Sequence, residues 1–218
     1  MVEGSRNRDP GVSLDDMIEE QRRAASSVIL KPIDLEGVSL VGGVDVYHSG
    51  GYSHASAILY DIRSKTVVSR SSSLAEEVFP YLPGFLYRRE RRLMVEAVRG
   101  MESSPDLLLV DGHGLAHPRG AGVAVFVGLD LMMPTVGIAK SLLVGRVGAR
   151  ENFHAPLMID ERLVGYMVGR EGSKKYYISP GNLITVEDLP DVASLWDFRY
   201  PEVLREADRE SRRKRMIG

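Results

Sequence analysis

The 218-residue chain contains no cysteine, which excludes disulfides and thiolate metal sites and fits a reducing, intracellular setting. No apolar run approaches the roughly 18 residues that a membrane span needs. The N-terminus, with Arg6, Arg8 and Pro10 among acidic residues, lacks the apolar centre of a secretion signal. A soluble, cytoplasmic protein with no membrane partner is expected. Excess positive charge is also missing. The formal net charge is −2, so attraction to a polyanion has to come from local patches rather than a global field. Internal repeats, long linkers and low-complexity blocks are absent. With 44% apolar and 27% charged residues, the chain is long enough to bury a full core. One domain over residues 1–218 is the economical expectation, monomeric, with 1–11 as a flexible polar arm.

What is present is organised around Pro105–Ser141. The run Leu107-Leu108-Leu109-Val110 predicts a strand buried on both faces, and it ends on Asp111. A turn follows that carries Gly112, His113, Gly114, His117 and Arg119, then a helix over Ala121–Leu131 and a short strand over Thr135–Ile138 that delivers Lys140. In an open α/β sheet, ligands sit outside the carboxyl ends of the parallel strands. This segment therefore gathers a carboxylate, two imidazoles, a guanidinium and an ammonium around one crevice.

The remaining elements supply support. Ser13-Leu14-Asp15-Asp16 resembles a capping box and opens a helix to about Val28. Three strands, Ser39–Val46, Ser53–Asp61 and Thr66–Ser73, form an antiparallel meander, with Asp45 closing the first. Pro80–Gly84 cannot be helix or central strand. A helix runs from Leu86 to about Met101. Leu163–Arg170 and Lys175–Ile178 read as a hairpin, and Ser179–Asn182 as a loop. A helix starts at Thr185 or Glu187, and a last one runs from Pro201 to about Arg215. The order of elements matches a ribonuclease H-like α/β arrangement, a mixed five-stranded sheet flanked by helices. In it the first strand lies beside the fourth, so Asp45 and Asp111 point at a shared place and Glu90 reaches in from its helix.

Three converging carboxylates repel one another unless a cation lies between them. Hard oxygen donors suit Mg²⁺, with Mn²⁺ as substitute, and such ions activate water against a phosphodiester. The plain alternative is that the aspartates cap strand ends and Glu90 lies on a solvated helix face. Lys140 is placed to neutralise transition-state charge, or is simply a solvated lysine. Arg88, Arg89, Arg91 and Arg92, with Arg205, Arg209, Arg212, Arg213, Lys214 and Arg215, supply phosphate contacts or are solvated helix faces.

These residues resemble the endonuclease V family. The likeness rests on Gly43-Val44-Asp45-Val46, on Pro80–Leu86 with Arg89-Glu90, on Pro105–Arg119 and on Gly137–Ser141, and it spans roughly residues 40–182. The resemblance implies a DNA-repair nuclease that nicks inosine-containing DNA at the second phosphodiester 3′ of the lesion. It makes Asp45, Asp111 and Glu90 metal ligands, with His117 and Lys140 catalytic beside the scissile phosphate. Tyr81, stiffened by Pro83, becomes a wedge that enters the duplex. Main chain at Gly112 and Gly114, walled by Leu86 and Leu142, becomes the pocket for the displaced base. Many relatives carry a histidine in the loop where this chain has Asn182. An amide cannot take a proton, and acid–base help is worth about 10²–10⁴-fold, so a metal-side or water-orienting role is expected for Asn182. An inosine-specific ribonuclease and a weakly catalytic inosine-lesion-binding protein are the alternatives.

Overall fold

The computed structural model describes residues 12–213; the arm expected at 1–11 and the basic residues Lys214 and Arg215 lie outside them. Helix α1 (Leu14–Ser27) starts at the anticipated box. The Ser13 hydroxyl accepts from the Asp16 N–H at 3.1 Å, and the Asp16 carboxylate accepts from the Ser13 N–H at 3.0 Å. The meander follows as β1 (Leu40–Ser49), β2 (Tyr52–Asp61) and β3 (Thr66–Glu76), then α2 (Leu86–Arg99), β4 (Leu107–Asp111), α3 (Val123–Leu131) and β5 (Thr135–Ala139).

Beyond β5 the sheet is larger than the five strands expected. Strands β6 (Arg146–Val147), β7 (His154–Ile159), β8 (Arg162–Val168) and β9 (Tyr176–Asn182) extend it to nine, in the order β3-β2-β1-β4-β5-β9-β8-β7-β6. The expected β8–β9 hairpin is present. The β7–β8 hairpin escaped detection because its two-residue turn, Asp160-Glu161, takes positive φ values of 44° and 61° without a glycine. Such turns normally announce themselves as Asn-Gly or Asp-Gly. Ser179–Asn182 is strand, not loop: Pro180-Gly181 argued against a strand, but Pro180 stands opposite Val136 and the register shift between Thr135 and Val136 leaves Gly181 as the extra residue. Helices α4 (Leu189–Ser194) and α5 (Glu202–Arg213) complete the chain.

The sheet is covered on both faces. Along β4, Leu108 and Val110 face a core shared with α1, α2 and α3, where Tyr87 and Phe126 stack with ring centroids 3.9 Å apart. Leu107 and Leu109 face a second core shared with α4 and α5. That double burial is why β4 is an unbroken apolar run. Strand β4 pairs parallel with both β1 and β5, so Asp45, Asp111 and Lys140 all emerge at the same end of the sheet. Gly43 decides what else reaches that end. A Cβ there would lie 2.9 Å from the Val203 carbonyl carbon and oxygen, so only glycine lets α5 settle directly on β1.

Candidate active site

A cleft of about 430 Å³ opens where β4 and β5 finish beside Asp45, from which β1 runs on to Ser49, past the end expected at Val46. Asp45, Glu90, Asp111 and Lys140 border it, as the sequence suggested, and so does Asp208 from α5. Val44 pairs with Val110, so the next residue on each strand, Asp45 and Asp111, leaves the ladder side by side. Asp45 is only 8% exposed. Burial, then repulsion from Asp111 and, more weakly, from Asp208 and Glu90, pushes its carboxyl up to about 8 despite the pull of Lys140. Burial would raise Asp208 too, but its hydrogen bonds from the Arg212 guanidinium, 2.9 and 3.0 Å, and the charge behind them hold it below the usual range. The Asp208 carboxylate, brought in by α5, is thus one of the charges that hold the Asp45 proton on. Burial alone would lower Lys140, but its contact with Asp111 raises it, so it stays an ammonium.

Glu90 is buried and accepts from His48 Nε2 at 2.8 Å. The other imidazole nitrogen of His48 contacts Ser53 Oγ at 2.8 Å and Glu77 at 3.0 Å, and Glu77 is paired with Arg89 at 2.5 Å. Burial raises the Glu90 carboxyl above its ordinary value, the His48 contact only partly opposing it. Tyr200 closes the other side. Its hydroxyl donates to Asp111 Oδ2 at 3.4 Å, and Lys140 Nζ lies 5.6 Å from the centre of its ring.

The far wall carries the wedge residues. Tyr81 is 64% exposed on the cleft's rim, Pro83 is exposed beside it, and Leu86 lines the interior. The loop is held from below. Gln21 Nε2 donates to the carbonyls of Gly84 and Ala121, both at 2.9 Å, and Arg119 donates to the Gly84 carbonyl at 2.7 Å and to Gln21 Oε1. His117 is buried in this network and accepts from the Arg119 N–H at 3.2 Å. Burial first, then the Arg119 charge, brings it down to about 4, so its ring is neutral at pH 7.

The carboxylates are suited to a divalent cation by their chemistry. Every donor is a hard oxygen, and the raised Asp45 marks a cluster short of positive charge. Among the described residues no three His, Asp or Glu side chains already converge as a metal cage. Two of the acids have instead turned to partners of their own, Asp111 to Lys140 and Glu90 to His48.

Comparison with known proteins places this geometry. A family model described as Endonuclease V matches residues 22–209, a span that includes all four acids. The chain belongs to the endonuclease V family. Endonuclease V of Geotalea uraniireducens is 38% identical over 214 residues, covering 94% of this chain and 91% of the relative. The crystal structure of Streptomyces avermitilis endonuclease V is similar at a TM-score of 0.86 and 28% identity, covering 95% of each chain. A Ciona intestinalis endonuclease V, in complex with a 24mer DNA containing an inosine followed by a ribo-adenosine, matches at a TM-score of 0.83 and 20% identity, covering 94% of this chain and 99% of that one. As an endonuclease V family member, the chain is read as a nuclease.

Several expected site residues do not stand in the cleft of this endonuclease V relative. Asn182 is fully buried and pairs with Thr135, about 10 Å along β5 from the residue that pairs with Asp111. Its Oδ1 accepts from the Ile29 N–H at 3.0 Å, and its Nδ2 donates to the Gly128 carbonyl at 3.1 Å. It is a structural tie, so its inability to titrate has no bearing on the chemistry. Gly114 is packing, not pocket: a Cβ there would lie 2.0 Å from the Pro180 carbonyl oxygen, and its N–H donates to Ser179 Oγ at 2.9 Å. The N–H groups of Gly112 and Leu115 are likewise engaged with Ile138 and Pro180, both at 2.8 Å. Gly112 borders the cleft, but little of the turn's main chain is left to read a base. Leu142 is 41% exposed, and its neighbour Leu143 is the one that lines the cleft.

The arginine runs are committed to internal pairs. Arg89 is paired with Glu77, Arg91 with Asp130 and Glu20, and Arg92 with Glu96, while Arg88 lies 3.7 Å from Glu20. On α5, Arg205, Arg209, Arg212 and Arg213 each pair with an acid three or four residues away. Sequence reading missed Asp208, His48, Gln21 and Tyr200. Asp208 had one signal: it adjoins the buried stripe Val203, Leu204, Ala207 and Ser211 of an otherwise charged helix.

Proposed function

We propose that this chain is a divalent-metal-dependent endonuclease that nicks one strand of inosine-containing DNA. In this reading the cut falls at the second phosphodiester 3′ of the lesion and leaves a 3′-hydroxyl and a 5′-phosphate, with the base in place. The observation that carries it is the grouping of Asp45, Glu90, Asp111 and Asp208 with Lys140 on the floor of a cleft whose rim is the exposed Tyr81 loop. Such a floor suits a phosphodiester, and such a rim suits a base taken out of its stack. The inosine-bearing DNA of the Ciona intestinalis complex supports the choice of lesion.

Hydrolysis adds water to phosphorus and breaks its bond to the 3′-oxygen. Asp45, Asp111 and Asp208 would hold Mg²⁺ or Mn²⁺, which supplies Lewis-acid polarisation of the phosphodiester and a water of lowered pKa. Deprotonation of Asp45, which burial and its acidic neighbours oppose, readies its oxygens. Lys140, kept cationic by Asp111, balances charge growing on the phosphoryl oxygens. Glu90, aimed by His48, would complete the oxygen set around that cation. Tyr81 fills the gap left by the displaced base, and the ties of Gln21 and Arg119 to Gly84 keep its loop from yielding. Neutral His117 borders the base side without adding charge there.

The test is a nicking assay on end-labelled duplex DNA with one central deoxyinosine, in Mg²⁺, in Mn²⁺ and in chelator, beside Asp111→Ala and a matched inosine RNA. A metal-dependent nick 3′ of inosine, lost in Asp111→Ala, is the expected result. Cutting of RNA alone moves the function to an inosine-specific ribonuclease, and tight binding without cutting moves it to a lesion-binding protein.

A further inference from the structure

A second groove, of about 590 Å³, opens from the active cleft and shares Lys140 and Asp208 with it. Its walls are the β8–β9 loop, the segment before α5 and the first turns of α5. Five cations line it, Lys140, Lys174, Lys175, Arg199 and Arg205, against the single carboxylate of Asp208. Two of the arginines are partly spoken for, Arg205 by Glu202 and, at longer range, Arg199, whose Nε is 3.7 Å from Asp197. Lys174 and Lys175 are different. Both are exposed, and among the described residues neither has a carboxylate within ion-pair distance. They sit in a chain of net charge −2 whose conspicuous arginine runs are internally paired. Tyr200 forms the floor at the junction, its ring edge-on to Tyr176 with centroids 5.8 Å apart.

We infer that this groove binds the phosphates of the cleaved strand on the 3′ side of the cut, with Lys174 and Lys175 as its principal contacts. The argument is one of order. Tyr81 and Leu86 border the cleft but not the groove, Lys174 and Lys175 border the groove but not the cleft, and Lys140 and Asp208 are common to both. A strand with its lesion at Tyr81 and its scissile phosphate at Asp45 and Asp111 continues past Lys140 into the groove. The inference rests on the proposed cut 3′ of the lesion, which makes the continuing arm the one that carries the product's 5′-phosphate. Unpaired ammonium groups on a flexible stem suit backbone contacts, which position a strand without reading its sequence.

The experiment compares wild type with the double variants Lys174→Ala/Lys175→Ala and Lys174→Glu/Lys175→Glu on inosine duplexes with a long or trimmed arm on either side of the lesion. The substitutions fall in an exposed loop, and circular dichroism verifies the fold. Each lost phosphate contact lowers the log–log salt slope by about one, so the alanine pair should lower the slope of kcat/KM by roughly two on the long 3′ arm. Reversal to glutamate should weaken that substrate further. On the trimmed 3′ arm wild type and variants should converge, while trimming the 5′ arm should weaken all alike. A variant that keeps the wild-type salt slope and 3′-arm dependence overturns the inference, as does a wild type indifferent to its 3′ arm. A wild type that cuts no inosine substrate instead overturns the proposed function, and with it the basis of this inference.

Discussion

Asp45 and Asn182 are both polar and both buried on the same sheet, yet their surroundings are opposite. Asn182 has an N–H donor for its oxygen and a carbonyl for its amide. Asp45 has three further carboxyl groups around it and is driven to hold a proton. Buried polar groups normally end up hydrogen-bonded, so the satisfied residue is the ordinary case. The unsatisfied cluster costs stability, and a fold that keeps such a cluster keeps it for a ligand. Burial alone therefore does not mark function; burial with unmet charge does.

Breaking the charged end should have the largest effect. Asp111→Ala is expected to lower nicking on the order of 10³-fold, because metal-supplied stabilisation is worth several kcal/mol, while leaving the melting temperature unchanged or higher. Parallel assays of rate and melting check this, and a stable variant with near-normal rate would remove Asp111 from the site. The satisfied end should do the reverse. Asn182→Ala strands the Ile29 N–H and the Gly128 carbonyl, at a cost of ~3 kcal/mol, which lowers the melting temperature by roughly 10 °C. Its rate at low temperature should match wild type, and Asn182→His should be unstable rather than faster.

His48 joins the two kinds of environment, since it satisfies Glu90 from within the β1–β2 hairpin. His48→Ala is expected to cost 10–100-fold in apparent metal affinity, the usual scale for a residue that orients a ligand. Calorimetric titration with Mn²⁺ reads this independently of turnover, and unchanged affinity would make His48 a hairpin tie only.

The most gradual expected effect is a pH dependence, small at each step of pH. Asp45 goes from an ordinary carboxyl in the unfolded chain to about 8 in the folded one. A raised folded value contributes stability that is fully present below the unfolded pKa and is lost as pH rises through the folded one. Between about pH 4 and pH 8 the folded state binds the extra proton, so metal-free stability should fall by at most ~1.4 kcal/mol per pH unit. Denaturant melts of wild type and Asp45→Asn across this range test it. The slope should shrink in the variant and be offset by Mg²⁺ in wild type near pH 8; equal slopes in both proteins would show that Asp45 titrates normally.

Much of the charged end was legible because strands announce where they stop. Asp111 terminates an apolar run and Lys140 directly follows another, whereas Asp45 only interrupts one, since β1 continues past it to Ser49. The β1–β4 adjacency followed from the order of elements, and the capping box of α1 from local spacing. Asn182 was misplaced because Pro180-Gly181 reads as a loop, whereas a register shift keeps it in β9. The arginine runs looked like phosphate contacts because charge counts do not reveal pairing; Arg91 meets Asp130 and Glu20 only after α1, α2 and α3 are packed together.

The sequence by itself determined the parallel core, the strand-end charges Asp111 and Lys140 and the stiff loop that carries Tyr81, since periodicity, strand termination and proline chemistry are local properties. Tertiary structure alone decided that Asp208 joins Asp45, that His48 holds Glu90 and that Lys174 and Lys175 flank the cleft. Each of these depends on a long-range approach, and that of α5 rests on one missing side chain, at Gly43, where a Cβ would collide with the Val203 backbone. Electrostatic pairing is fixed by distance in space, and the spacing of charges along a chain does not encode it.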